Sequence, residues 1–317
     1  MSKIKNIEIL PYNPSYPYLF EAEAAHIKQA LGNNLLEIHH IGSTSVPDLP
    51  AKPKIDMLAV VKAPLLAIQQ LETIGIQYKG EYNIPLHYGF SKRGEVDLNL
   101  HVYEAGHVEI EWNLMFRDYL RVYPKLRDAY AQLKKDLIQE ASSFHKENSP
   151  FANYTLRKGD FIRSILKAAG FSRIRILKCS DETEWKAAKY FRDKYFFEPQ
   201  GIEDPYTWTF HHEEHAHLIL YQGAEIIGYA HIQFWPNKRA AMRMIVVKEN
   251  KRNQNLGSQF LAFIEKWLKA LVINSIHAES RQSSLRFYLK NGYTTMPFDD
   301  PANHESDLRD VPVGKVL

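Results

Sequence analysis

Between Ser15 and Leu31 the apolar residues of SYPYLFEAEAAHIKQAL recur at helical spacing and Gly32-Asn33-Asn34 supplies a stop, which predicts an amphipathic helix. The period then changes. LLEIHHIG (35–42) reads as a strand, and PKIDMLAVV (53–61) as a more deeply buried one because its apolar run is nearly continuous. After a helix near 64–74, ended by Gly75, a third strand is expected at VDLNLHVYE (96–104), where Val96, Leu98, Leu100 and Val102 alternate with polar residues. From Trp112 the composition turns helical through NLMFRDYLRVYPKLRDAYAQLKKDLIQEA, with a break at Pro124, and the basic side of 125–139 reads as a solvated face. KENSPFANY (146–154) reads as a loop, and RKGDFIRSILKAAG as a helix closing at Gly170.

A new unit is expected after that glycine. RIRILKCS (173–180) is strand-like, and Asp181 or Thr183 is placed to cap the helix ETEWKAAKYFRDKYF. Strands at HLILYQ (217–222), EIIGYAHIQFW (225–235) and AAMRMIVV (240–247) follow, joined by short turns containing Gly or Pro. The polar loop KENKRNQNLGS leads into the helix QFLAFIEKWLKAL, then strand VINSIHAES (272–280), helix SLRFYLKNG (284–292) and a short tail. The pattern predicts an α+β protein of two domains, residues 1–170 and 171–317, each with strands and helices, and no internal repeat is visible; the family resemblances given below imply that each sheet is mixed.

Length and composition agree: 317 residues suit two domains, and 45% hydrophobic with 24% charged residues excludes a disordered or fibrous chain. No apolar run approaches the roughly 20 residues that cross a bilayer. The opening MSKIKNIEILPYNP lacks the apolar stretch of a signal peptide, so a cytoplasmic protein is expected. The one cysteine, Cys179, has no disulfide partner and reads as an inert thiol in preference to a nucleophile. A net charge of +3 gives no strong nucleic-acid signal. The 14 histidines, paired as in His39-His40 and His211-His212, lack the cysteine partners of a structural zinc site.

A strand, a loop of small and polar residues, and a helix make a ready phosphate site, because unpaired backbone N–H groups converge where the helix dipole is positive. The loop here is Arg252-Asn253-Gln254-Asn255-Leu256-Gly257-Ser258, for which an ordinary β-α connection is the bland alternative. It resembles the pyrophosphate loop of GNAT acetyltransferases, R/Q-x-x-G-x-G/A, with Arg252 and Gly257 in register. Asn255 replaces the first glycine, and Asn tolerates left-handed backbone angles. FYLKNGY (287–293) extends the resemblance to the family's F-Y-x-x-x-G-F/Y segment.

That resemblance implies a GNAT fold, acetyl-coenzyme A as cofactor, and Tyr288 as the acid for the departing thiolate, with a half-buried packing tyrosine as the alternative. It also implies splayed strands in which the backbone of Ile245, Val246 and Val247 meets the pantetheine arm while their side chains enter the core. Arg281 stands where the family has Asn and can instead meet a phosphate. For the base that deprotonates the amine the candidates are Glu279, His231, Glu213 and Glu214, each also readable as solvated or structural.

In the first half, IHHIGSTSVPDLPAKPKIDMLAVV (38–61), with LNLHV (98–102) and FRDYLR (116–121), resembles the GrpB-like branch of the nucleotidyltransferases over roughly residues 6–168. The resemblance implies a Gly42-Ser43 turn for nucleotide phosphates and metal-binding carboxylates beginning at Asp56. Leu58 occupies the second carboxylate position, and His101 rather than Asp97 falls at the characteristic third site. His40, Asp56 and His101 can coordinate one divalent or transition metal, bind a phosphate, or be satisfied interior hydrogen bonders. Ser43 and Thr44 can equally cap the turn, and Lys52, Arg117 and Arg121 can pair with an anionic ligand or be solvated charge. The expected activity is direct acetyl transfer to a small-molecule or protein amine. The rival is nucleotidyl or phosphoryl transfer by the first half, with the second half a coenzyme A sensor.

Overall fold

In the computed structural model, which describes residues 8–140, 152–302 and 309–317, the first apolar stripe becomes α1 (Tyr16–Leu31). It buries Tyr16, Phe20, Ala24, Ile27 and Leu31, one residue per helical turn, against a sheet. The chain divides into two units, Met1–Arg175 and Ile176–Leu317.

In the first unit β1 (Leu35–Ile41), β2 (Ile55–Val61), α2 (Pro64–Glu72), β3 (Gln77–Gly80), β4 (Tyr88–Lys92) and β5 (Leu98–Glu104) follow α1. The sheet runs β1-β2-β5-β4-β3, with β2 and β5 parallel and the other neighbours antiparallel. The unexpected strands are β3 and β4. Each is short, and Gly80, Gly89 and Ser91 dilute the alternation that would announce them. Period two sorts β2 cleanly. Ile55, Met57, Ala59 and Val61 face α1, and Leu58 and Val60 join Ile41 and Tyr103 on the other side.

That other side is covered by α3 (Val108–Val122), in contact there through Ile110 and Leu114. The helix begins four residues before Trp112, because the His107 side chain accepts from the Glu109 amide at 3.2 Å and caps it. Pro124 starts α4 (Pro124–Gln139) at a position where its missing N–H costs nothing. Of the expected loop 146–154, residues 146–151 lie outside the described residues, and Asn153 and Tyr154 open α5 (Asn153–Leu156). α6 (Gly159–Ala168) ends the unit's helices, and Val46, Leu49, Leu120, Tyr130, Ala131 and Ile165 form a separate apolar cluster.

The second sheet is ordered β11-β12-β10-β9-β8-β7-β6, from β6 (Ile174–Lys178), β7 (His215–Gln222), β8 (Glu225–Trp235), β9 (Arg239–Val247), β10 (Ser275–Ser280), β11 (Thr294–Thr295) and β12 (Val311–Val316). The expected short tail is thus partly sheet, β12 lying antiparallel to β10. Pro312 and Gly314 concealed that strand. α7 (Glu182–Arg192) starts at a capping box of Asp181 and Glu184 and gives way to a π-turn at Asp193–Phe197, four residues short of the expected end. α8 (Leu256–Ala270) buries Phe260, Leu261, Ile264, Trp267 and Leu268, and α9 (Gln282–Lys290) carries Tyr288. Among the described residues no helix is long and apolar enough to cross a membrane.

Candidate active site

The strands β9 and β10 run parallel but share only the pairs Ser275–Arg239, Ile276–Ala240 and His277–Ala241. Beyond them Arg243 is bulged out of register with β8, where His231 pairs with Met244 and Ile232 with Met242. A bulge bends and twists its strand, so β9 leaves β10 and both inner edges lose their ladder partner. A cavity of about 1030 Å³ fills the gap and extends to the N-terminus of α8. Ile245 and Val246 are half-buried and line it, which corrects the expectation that their side chains are core; Val247 also lines it but is buried.

The loop residues Arg252, Asn253, Asn255, Leu256, Gly257 and Ser258 line this same cavity, and Gln254 does not. Asn253 and Asn255 stand at φ 62 and 61, in the left-handed region where Asn is best tolerated after Gly. Asn255 is the N-cap of α8 yet makes no side-chain cap bond, so the first-turn amides, which no helix can satisfy internally, are left to the cavity. Arg252 donates from Nε to the Val247 carbonyl at 3.0 Å, fastening the loop to the end of β9 while its other N–H groups stay available. These features fit a diphosphate.

Tyr288 lines the cavity and is 6% exposed, its ring in edge contact with Phe287 at 5.3 Å and Tyr293 at 5.2 Å. Burial pushes its phenol above the usual tyrosine range, so the hydroxyl keeps its proton. Arg281, exposed, lies at the same cavity. So do two carboxylates, Glu279 and Asp310. Glu279 is half-buried on the splayed part of β10, while Glu213 and Glu214 are exposed and do not reach the cavity. Asp310 gave no signal in the sequence, since it precedes a strand that was not foreseen.

His231 belongs elsewhere. It pairs across β7 and β8 with His217, and both rings are 3% exposed. Arg192 donates to His231 Nδ1 at 3.2 Å, so His231 Nε2 carries the proton and donates to His215 Nδ1 at 2.8 Å. His217 donates to the Thr209 carbonyl at 3.0 Å and accepts from the Tyr229 hydroxyl at 2.6 Å. Arg192 in turn forms a two-pronged pair with Asp204 at 2.6 and 2.8 Å. Burial, with the neighbouring Arg192 charge, lowers His217 to about 3 and puts His231 well below the usual histidine range. The network is a neutral structural one, and it removes His231 from the candidate bases. Cys179 donates to the Glu184 carbonyl at 3.8 Å, and burial raises its thiol well above normal, which suits the inert reading.

In the first unit the sheet separates what the sequence grouped. His40 pairs with Met57 and stacks on Phe20 at 4.9 Å on the α1 face, whereas Asp56 pairs with Asn99 on the opposite one. Each is satisfied: His40 bonds Thr44 Oγ1 at 3.0 Å, Asp56 accepts from Asn99 at 2.8 Å, and His101 bonds His87 at 3.0 Å. Burial and the charges of Arg121 and Arg117 lower His40 to about 4. Among the described residues no three His, Cys, Asp or Glu converge to hold a metal. Arg117 donates to the His40 carbonyl and to Asp118, and Arg121 to the Ser45 carbonyl, so both brace the turn instead of offering their charge to a ligand.

Each half of the chain matches a known family. Residues 6–168, half of the chain, match the GrpB protein family, and residues 180–293 match the acetyltransferase (GNAT) family. The chain belongs to the GrpB family. A UPF0157 protein of Halalkalibacterium halodurans is 36% identical over 167 residues, covering 52% of this chain and 83% of that one. The UPF0157 protein YqkA of Bacillus subtilis is 40% identical over 140 residues, 43% of this chain and 41% of its own length. The crystal structure of the conserved protein GrpB from Enterococcus faecalis aligns with 51% of this chain and 96% of its own, at 35% identity and TM-score 0.45. That of the PaiA N-acetyltransferase from Thermoplasma acidophilum in complex with coenzyme A aligns with 46% of this chain and 99% of its own, at 17% identity and TM-score 0.35.

Within the GrpB domain Gly42 is constrained both by its backbone angles and by a neighbouring side chain. Gly42 stands at φ 69, ψ −169, a region open only to glycine, and a Cβ there would lie 2.6 Å from Asp56 Oδ2. Gly42→Ala is expected to lower stability by about 2–4 kcal/mol, the sum of backbone strain and displaced carboxylate. Gly75 has φ +79 but nothing within 4 Å, so Gly75→Ala pays the backbone part alone, about 1 kcal/mol. Denaturant melts of the two variants check the difference, and equal losses would show that the Asp56 contact is immaterial.

Proposed function

We propose that residues 171–317 form an N-acetyltransferase using acetyl-coenzyme A, with direct transfer to an amine, and that residues 1–170 form a GrpB domain with a separate task. The single observation behind this reading is that the Arg252–Ser258 loop, the free edge of β9 and the Tyr288 side chain all line one cavity of about 1030 Å³. Bound acetyl-coenzyme A supplies an activated thioester. The α8 amides and Arg252 hold its diphosphate, and Arg281 is placed for a further phosphate contact. The free backbone of Ile245, Val246 and Val247 orients the pantetheine arm and the acyl carbonyl. Tyr288 donates a proton to the departing sulfur.

Glu279 is the base in this reading, since of the candidates foreseen it alone lines the cavity. Glu279→Gln is expected to cut kcat/KM for the amine by about 10²-fold without weakening cofactor binding. The defect shrinks as pH rises through the amine's own pKa, because the acceptor then loses its proton unaided. A pH series of initial rates reads this. A flat defect across pH, or a larger loss in Asp310→Asn, reassigns the base.

The reading is tested by calorimetric titration of acetyl-coenzyme A into the full chain, followed by a panel of amines with thiol release as the readout. Absence of binding removes the acetyltransferase assignment. Binding without turnover on any amine leaves the cofactor-sensor alternative.

A further inference from the structure

The cavity between β9 and β10 has a blind end. At its mouth stand Arg252, Asn253 and Asn255, all exposed, whereas the lining residues Met242 and Ser280 are only 2% and 1% exposed. Both lie where the strands part. The β9–β10 ladder stops at the pair Ala241–His277, so Met242 is the first residue of β9 without a partner on β10, although β8 still holds it opposite Ile232. Ala240 pairs with Ile276, and alternation from that pair puts Met242, Ala278 and Ser280 on one face of the sheet. It is the face that α8 covers, since Phe234, the partner of Ala240 on β8, meets Trp267 of α8 edge-on at 5.9 Å.

Ladders to β8 and β12 fix the backbone on both sides of the gap, so side chains set the room at its blind end. Of the three on this face, only Met242 is long. The gradient of burial orients the cofactor, with the diphosphate at the exposed mouth and the thioester at the blind end. From Val247 back to Met242 the strand covers about 17 Å, at roughly 3.3 Å per residue, close to the reach of an extended pantetheine arm. The sulfur then comes to rest where the strands part, and the acyl group it carries lies beyond it, against Met242. An acetyl group adds only a methyl past its carbonyl. Each further methylene has to enter space that the methionine fills, in an interior where overpacking forces side chains from their rotamers. An unbranched thioether is well suited to closing so irregular an end.

Resting on the acetyltransferase reading, we propose that Met242 is the specificity-determining residue for the acyl donor: its side chain closes the blind end, admits an acetyl or propionyl group, and turns away butyryl and longer chains. It acts by occupying space and handles no proton.

Calorimetric titration of the full chain with acetyl-, butyryl- and free coenzyme A tests this without any amine. The parent should bind butyryl-coenzyme A about 10²-fold more weakly than acetyl-coenzyme A, the scale on which an apolar pocket rejects added methylenes. In Met242→Ala the gap should close to within about threefold, while free coenzyme A binds parent and variant alike. Met242→Val removes less of the side chain and should narrow the gap by less; it serves in place of the alanine variant should that one not fold. Met242→Leu, close in volume, should keep the gap. So should Met244→Ala, because Met244 pairs with His231 beyond the bulge and lies on the other face of the sheet. Equal binding of both thioesters by the parent, a gap that survives both Met242→Ala and Met242→Val, or a gap abolished by Met244→Ala overturns the proposal and leaves the acetyltransferase reading standing. A parent that binds none of the three ligands overturns both.

Discussion

Gly257→Glu should abolish acetyl-coenzyme A binding while leaving the chain folded. Gly257 sits in the first turn of α8, lining the cavity, and a Cβ added there would meet Phe287 Cε2 at 3.2 Å and Cζ at 3.7 Å. That contact is tight but falls on the edge of a half-buried ring, so the backbone can keep its place. A glutamate in the first turn is moreover favourable to the helix, because its carboxylate complements the positive end of the dipole. The same property makes it fatal to the cofactor: the carboxylate occupies the amides and repels a diphosphate. Losing about two charge-assisted hydrogen bonds costs roughly 3–6 kcal/mol, or about 10²–10⁴-fold in Kd. Gly257→Ala separates the two causes, since it adds the ring contact without the charge. Calorimetry reads both variants, with circular dichroism to verify folding. A glutamate variant that binds within about threefold of the parent would mean that the loop amides do not hold the diphosphate.

The residues on which that prediction rests were legible because they are consecutive. A loop between a strand and a helix carries its chemistry in one stretch of text, and Asn253 and Asn255 have the backbone angles their side chains permit. The same holds for α1 and β2, whose periods survive any neighbour. What the sequence withheld was register and face. His217 and His231 meet only because β7 and β8 pair at those positions, and nothing in either strand announces it. His40 and Asp56 are near in sequence and share a motif, yet the pairing of Ile41 with Asp56 puts His40 one step out of phase and on the opposite face. Asp310 was hidden by Pro312 and Gly314 in the strand it precedes. Lys134, by contrast, could have been told from the solvated side of 125–139: it is buried on the same helical stripe as Tyr130 and Leu137, where a lysine has no reason to be unless it meets a partner, here Ser43 Oγ at 3.0 Å.

Tyr288→Phe should slow acetyl transfer by about 10²-fold or more while leaving cofactor affinity nearly unchanged. The substitution removes one oxygen and keeps the ring, so the edge contacts with Phe287 and Tyr293 at 5.3 and 5.2 Å persist and the cavity keeps its shape. Only the proton donor is lost. Burial raises the phenol pKa, which keeps the donor loaded across the physiological range, so the parent's rate should show no alkaline fall attributable to this group. A free thiol ionises near 8.5, so a developing thiolate in the same buried setting has its own pKa raised and takes the proton more readily than it would in water. Kinetics against a thiol-release readout give kcat, and calorimetry gives Kd. Tyr293→Phe serves as the control, since Tyr293 contacts the Tyr288 ring but does not line the cavity. Equal kcat in Tyr288→Phe and the parent would exclude the hydroxyl from the chemistry, and a matched loss in both tyrosine variants would assign the effect to packing.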